Sequence, residues 1–188
     1  MRAIMIVDGN YLFKTARDFE KNNPKYPDCF YNIIEYYENS TNSQIHLVRI
    51  RFHDSEPCKG GSREIHEKRQ RFHNKLRDTS RVDVILGRCQ HIDTKYTQKG
   101  VDVNMALDIV RYAQDIDSII VVSGDSDLVP AFDAARDRGA EIILVLSPHH
   151  FYQSDNYSES IGKLIQASDL YFKLTEEMLF KTRKQKTI

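Results

Sequence analysis

Residues 118–130 read Ser-Ile-Ile-Val-Val-Ser-Gly-Asp-Ser-Asp-Leu-Val-Pro. Ile119 through Val122 form a continuous β-branched run, which reads as a strand buried on both faces, as in a parallel sheet. The run stops at Ser123-Gly124, two acids follow at Asp125 and Asp127, and a helix begins at Leu128. Similar apolar runs occupy residues 3–7, 44–52 and 141–146, with a weaker one at 82–86. Between them, helical spacing predicts helices over residues 28–39, 62–76, 103–114, 128–138 and 158–167, and an edge strand follows at 170–174. Strands alternating with helices define an α/β sandwich with a mostly parallel sheet. Residues 1–181 read as one domain and residues 182–188 as a flexible basic tail.

The chain has 188 residues, 40% of them hydrophobic and 29% charged, the composition of a globular domain. No apolar run is long enough to span a bilayer, and the stretch before the first acid, Asp8, is too short for a signal peptide. Cys29, Cys58 and Cys89 form no CxxC pair. They predict no disulfide framework and a reducing, cytoplasmic setting. Equal totals of 27 basic and 27 acidic residues hide a segregation. Residues 59–81 hold eight bases against three acids, a net of +5, and residues 101–141 hold three bases against nine acids, a net of −6. Lys181, Arg183, Lys184 and Lys186 add charge to the tail.

Asp8 and Asp125 each end a strand of the predicted sheet, at the edge where open parallel sheets bind ligands. Asp127 lies two residues beyond Asp125, and Asp102 precedes the helix at 103–114. Each has a plain structural reading: Asp127 as a helix N-cap, Asp8-Gly9-Asn10 as a turn. Together, converging carboxylates repel, and a hard divalent cation such as Mg²⁺ or Mn²⁺ relieves them. Such an ion can activate water against a phosphodiester. Asp108 lies six residues past Asp102, about 120° around a helix, and reads as a supporting residue or a solvated one. The chain has no GxGxxG, GxxxxGK[ST], HExxH or GxSxG motif. Asn10 replaces the second acid that a haloacid-dehalogenase-type phosphatase would carry.

Ile6-Val7-Asp8-Gly9-Asn10, Lys99-Gly100-Val101-Asp102-Val103 with Ala106-Leu107-Asp108, and Val122-Ser123-Gly124-Asp125-Ser126-Asp127-Leu128-Val129-Pro130 resemble the NYN domain, a branch of the PIN-like nuclease superfamily, most closely its LabA-like members. The resemblance implies a three-layer PIN-like (Rossmannoid) sandwich and Mg²⁺- or Mn²⁺-dependent cleavage of RNA. It assigns the metal to Asp8, Asp102, Asp125 and Asp127. It gives Asn10 and Ser123 a role in orienting the acids or a phosphate oxygen, and Lys99 a contact with substrate phosphate.

RNA, the expected partner, needs positive charge beside those acids. The stretch at 59–81 supplies it, with Arg69 and Lys75 as phosphate contacts, and the segment at 87–98 adds Arg88, His91, Lys95 and Tyr96. Lys59-Gly60-Gly61 reads as a phosphate-contacting loop. Tyr11 is the candidate for stacking on a base. Phe30 and Tyr37 belong in the core, with Tyr26, Tyr31 and Tyr36 half-buried. His66 and His73 read as surface residues, whereas His149-His150 stands at the same sheet edge as Asp125. No membrane contact is expected, and a homodimer is allowed. Besides the ribonuclease, two readings stand: a non-catalytic RNA- or protein-binding module, and a phosphatase of small substrates.

Overall fold

The computed structural model of the chain describes residues 1–19, 23–58, 62–92, 95–151 and 157–183; the side chains at 91, 92, 95, 96 and 98 are not among them. The loop at 59–61, the side chains of His91, Lys95 and Tyr96, and the tail residues Lys184 and Lys186 therefore lie outside the described residues. In chain order the elements are β1 (Arg2–Asp8), α1 (Gly9–Asp18), α2 (Asp28–Thr41), β2 (His46–Ser55), α3 (Arg63–Arg77), β3 (Val82–Ile92), β4 (Lys95–Lys99), α4 (Val101–Tyr112), β5 (Ser118–Val122), α5 (Val129–Arg136), β6 (Glu141–Leu146), α6 (Glu159–Ala167), β7 (Leu170–Lys173) and α7 (Glu176–Phe180).

The sheet runs β4-β3-β2-β1-β5-β6-β7. Six strands, β3 through β7 in that order, are mutually parallel, and β4 joins antiparallel at one end. Alternate side chains feed two separate cores, as the two-residue period of a strand requires. Met5 and Val7 of β1 pack with Leu12, Phe30, Ile33 and Leu179 beneath α1, α2 and α7. Ile4 and Ile6 pack with Met105, Ile109, Phe132 and Leu164 beneath α4, α5 and α6. Sheet and two helical faces make the three layers. The chain steps outward from β1 toward β3, returns, and steps the other way through β5, β6 and β7, so the strand order reverses between β1 and β5. The carboxyl ends of those two strands flank the crevice such sheets use for binding.

Three elements are absent from the sequence reading. Helix α1 begins where the sequence suggests a turn, because the Asp8 carboxylate accepts a hydrogen bond from the Tyr11 N–H at 3.0 Å and caps it. Strand β4 occupies part of the segment that reads as a plain connection, and α7 closes the fold against α2. The tail is not wholly loose: Arg183 donates to Glu35 at 2.8 Å and its backbone N–H to Asp28 at 3.2 Å. Cys58 and Cys89 are joined in a disulfide, with Cα atoms 5.2 Å apart, and Cys29 is free and buried. This overturns the expectation of no disulfide, since the fold brings together two cysteines 31 residues apart that share no sequence motif. The cysteines therefore give no support to a reducing compartment. Among the described residues no helix is long and apolar enough to cross a membrane.

Candidate functional site

Asp8 ends β1, and Asp125 lies three residues beyond the end of β5, one on each side of the crevice. The Asp125 carboxylate accepts the Asp127 N–H at 3.0 Å and caps a short 3₁₀ turn, Ser126–Leu128, that leads into α5. Asp127 is therefore not the cap that its position before Leu128 suggests; its side chain is exposed. Ser123 is buried, and its hydroxyl accepts the Asp125 N–H at 3.2 Å, fixing the turn that presents the acid. Gly100, at φ +80°, turns the chain into α4 and sets Asp102 in the first helical turn.

The electrostatics tie these acids together. Burial pushes the Asp8 carboxyl up to about 6, the backbone N–H groups of Tyr11 and Asn10 oppose the rise, and the charges of Asp102 and Asp54 add to it. Asp102 is exposed, yet partial desolvation raises it, reinforced by the charges of Asp125 and Asp127. Among the described residues, no three His, Cys, Asp or Glu side chains stand close enough together to hold a metal ion. In donor type and in unbalanced negative charge the carboxylates suit a hard divalent cation.

Because Asp8 ionises less readily folded than unfolded, its charge destabilises the fold. Stability falls as pH rises from 3.8 through about 6. The shift corresponds to roughly 2–3 kcal/mol. Asn caps helices as well as Asp does. Asp8→Asn should therefore melt higher than wild type at pH 8, with the gap narrowing toward pH 5. A parallel pair of melting curves would contradict this.

Asp108 is neither solvated nor part of the acidic group. It is 7% exposed and accepts two hydrogen bonds from Arg51, at 2.8 and 3.2 Å. Buried His53 places its Nε2 3.1 Å from the same carboxylate, without hydrogen-bond alignment. Burial pushes Asp108 up, but His53 and Arg51 outweigh it and hold the carboxyl below its ordinary value.

Tyr11 is not free to receive a base on both faces. Its ring stacks on His150 with centroids 5.6 Å apart, and its hydroxyl accepts the Ser147 N–H at 2.6 Å. The pair lies against Gly124, where a Cβ would meet His150 Nε2 at 2.6 Å and Tyr11 Cε2 at 2.7 Å, so only glycine fits. Tyr11 thus ties α1 to the end of β6 and shapes the turn before Asp125.

Sequence reasoning missed Asp54. Strand β2 runs to Ser55, past the predicted end at 52, and carries Asp54 into the interior. There it accepts from Arg69 and sits 2.8 Å from His73 Nε2, both on α3. Arg69 is thus engaged with a carboxylate, and His73, expected on the surface, is 1% exposed. Their spacing of four residues on a helix was the available signal. Lys75 is exposed on the same helix, and Arg88 and Lys99 are exposed on β3 and β4.

A three-layer α/β sandwich with acids at the ends of the strands that flank its switch point defines the class of fold. A model of the NYN domain family matches residues 2–174, and the chain belongs to that family. NYN domains are generally nuclease-like, which supports a hydrolase at that coarse level. The chain is also similar to the crystal structure of a protein of unknown function from Vibrio parahaemolyticus. The two share 20% identity, with 95% of each chain covered and a TM-score of 0.64, a likeness of fold. No curated protein matches the chain.

Proposed function

We propose that the protein is a metal-dependent ribonuclease of the PIN-like type, within the LabA-like group of NYN domains. The observation that carries this reading is the repulsion linking Asp102 to Asp8 on one side and to Asp125 and Asp127 on the other, at the β1–β5 crevice and inside the span that matches the family. A fold that builds uncompensated carboxylates at a ligand-binding edge gives up stability there for function. These four would hold Mg²⁺ or Mn²⁺, which supplies charge to activate water and to offset phosphodiester charge. Ser123 holds the Asp125 turn, and Asn10 helps to hold Asp8 through its backbone N–H. Arg88, Lys99 and Lys75 face solvent as contacts for RNA phosphate. Arg69 reaches the same edge with its charge largely spent on Asp54.

A non-catalytic RNA- or protein-binding module is the second reading, favoured by the spacing of the carboxylates, which is wider than a metal group's. The test is cleavage of end-labelled RNA by wild type and Asp125→Asn in Mg²⁺, Mn²⁺ or EDTA. Cleavage by wild type with the divalent ions alone, lost in the variant, is the expected result. Equal activity in all conditions rejects the ribonuclease, and calorimetry showing RNA binding without divalent-ion binding selects the module.

A further inference from the structure

Strand β3 has two halves. Val82 through Gly87 pair with β2, ending at Ser55↔Gly87. Arg88 through Ile92 pair only with β4. Asp8 lies opposite His53, and His53 opposite Ile85. Arg88 is thus three residues beyond the level of Asp8, about 10 Å along the strand direction. The β3–β4 hairpin projects past the carboxyl edge of the sheet, two strand positions from β1 and so about 10 Å across from it.

The ladder register sets Arg88 directly opposite Lys99. Opposed residues of an antiparallel pair share a face, with Cβ atoms about 5 Å apart, and like charges so placed destabilise the ladder. Both side chains are exposed, and among the described residues no carboxylate pairs with either. Gln90, exposed, and Thr97, half-buried, are the next pair on that face, so the strip is polar as well as basic. Cys89 belongs to the opposite face and is anchored through Cys58 to the exit of β2. At the hinge, a Cβ on Gly87 would meet the Lys99 carbonyl oxygen and Val101 Cγ2, each at 2.7 Å. Close approach there seats the end of β4 against β3 and runs Lys99 within three residues of Asp102.

We propose that this hairpin face is a backbone grip for a single RNA strand, in which Arg88 and Lys99 clasp a phosphodiester between them and lead the strand to the acids. A phosphate between the two cations turns their repulsion into two charge-assisted hydrogen bonds. The grip rests on the ribonuclease reading for its RNA, and binding can be measured apart from cleavage. An anionic strand approaching an acidic crevice needs a cationic contact outside it, and the hairpin supplies one that is braced and aimed.

The experiment is fluorescence anisotropy of a fluorescein-labelled single-stranded RNA with the full chain in EDTA, across a KCl series. Arg88→Gln/Lys99→Gln should bind about tenfold more weakly at low salt. Its log–log salt slope should be shallower by about 0.7 for each phosphate that the variant no longer neutralises. Arg138→Gln/Lys163→Gln removes the same charge from the turn after α5 and from α6, and should bind as wild type. Unaltered binding by the hairpin variant, an equal loss in the control pair, or no RNA binding by wild type overturns the grip. So does displacement of the RNA by inorganic phosphate at constant ionic strength, which would make the site one for a free anion. Wild-type binding that depends on Arg88 and Lys99, with no cleavage in Mn²⁺, overturns the ribonuclease and leaves the grip standing.

Discussion

Asp54→Ala should destabilise the protein by about 3–5 kcal/mol, the cost of removing one partner from a buried ion pair. Asp54 is 4% exposed, and its carboxylate accepts from the Arg69 guanidinium, from His73 and from the Ser55 N–H at 2.8 Å. Truncation strands a 1%-exposed imidazole and a half-buried guanidinium against β2 with no anion to meet them. Burial alone would raise Asp54, but His73 and Arg69 reverse this and hold it below its ordinary value. Its contribution is therefore complete above the ordinary carboxylate range near 3.8 and is lost as pH falls through the lowered value. Urea unfolding at pH 7 measures the effect, and a loss below about 1 kcal/mol would place the pair among inert surface bridges. Combining Asp54→Ala with His73→Ala separates burial from pairing: the double variant should cost much less than the two single losses added.

Much of this molecule is legible without coordinates. Ile4 to Val7, Ile119 to Val122 and Ile142 to Leu146 are apolar on both faces, because helices cover both sides of a parallel sheet. Asp8 and Asp125 mark the candidate site because Asp8 ends one such run and Asp125 follows another closely. What stays hidden depends on partners distant in sequence. His53 and Asp54 look like the polar exit of a strand, yet they are buried on account of Asp108 and of Arg69 with His73, on helices over opposite faces of the sheet. Asp108 shows the same limit from the other side. A helical wheel separates it from Asp102, and only the sheet reveals that Arg51 waits there. Strand β4, Lys-Tyr-Thr-Gln-Lys, lacks hydrophobic alternation because its ladder stands outside both cores. Helix α1 is obscured because Asp-Gly-Asn serves a turn and a cap equally well.

Reduction should remove about 3–4 kcal/mol of stability, the chain-entropy value for a cross-link spanning 31 residues. The closed segment contains all of α3 and the first half of β3. The bond thus ties the hairpin face opposite Arg88 and Lys99 to the chain just beyond Asp54. Denaturant unfolding with and without a phosphine reductant measures the loss, and Cys58→Ser should reproduce it without reductant. Thiol titration of the denatured, unreduced chain should find one reactive sulfur, Cys29, rising to three on reduction. Three thiols before reduction, or an unfolding midpoint indifferent to reductant, would sink the cross-link as a stabilising element. A reductant effect confined to RNA affinity would instead assign the bond to the hairpin alone. The pairing with Cys58→Ser matters because a reductant could act elsewhere, whereas one serine can only open this bridge.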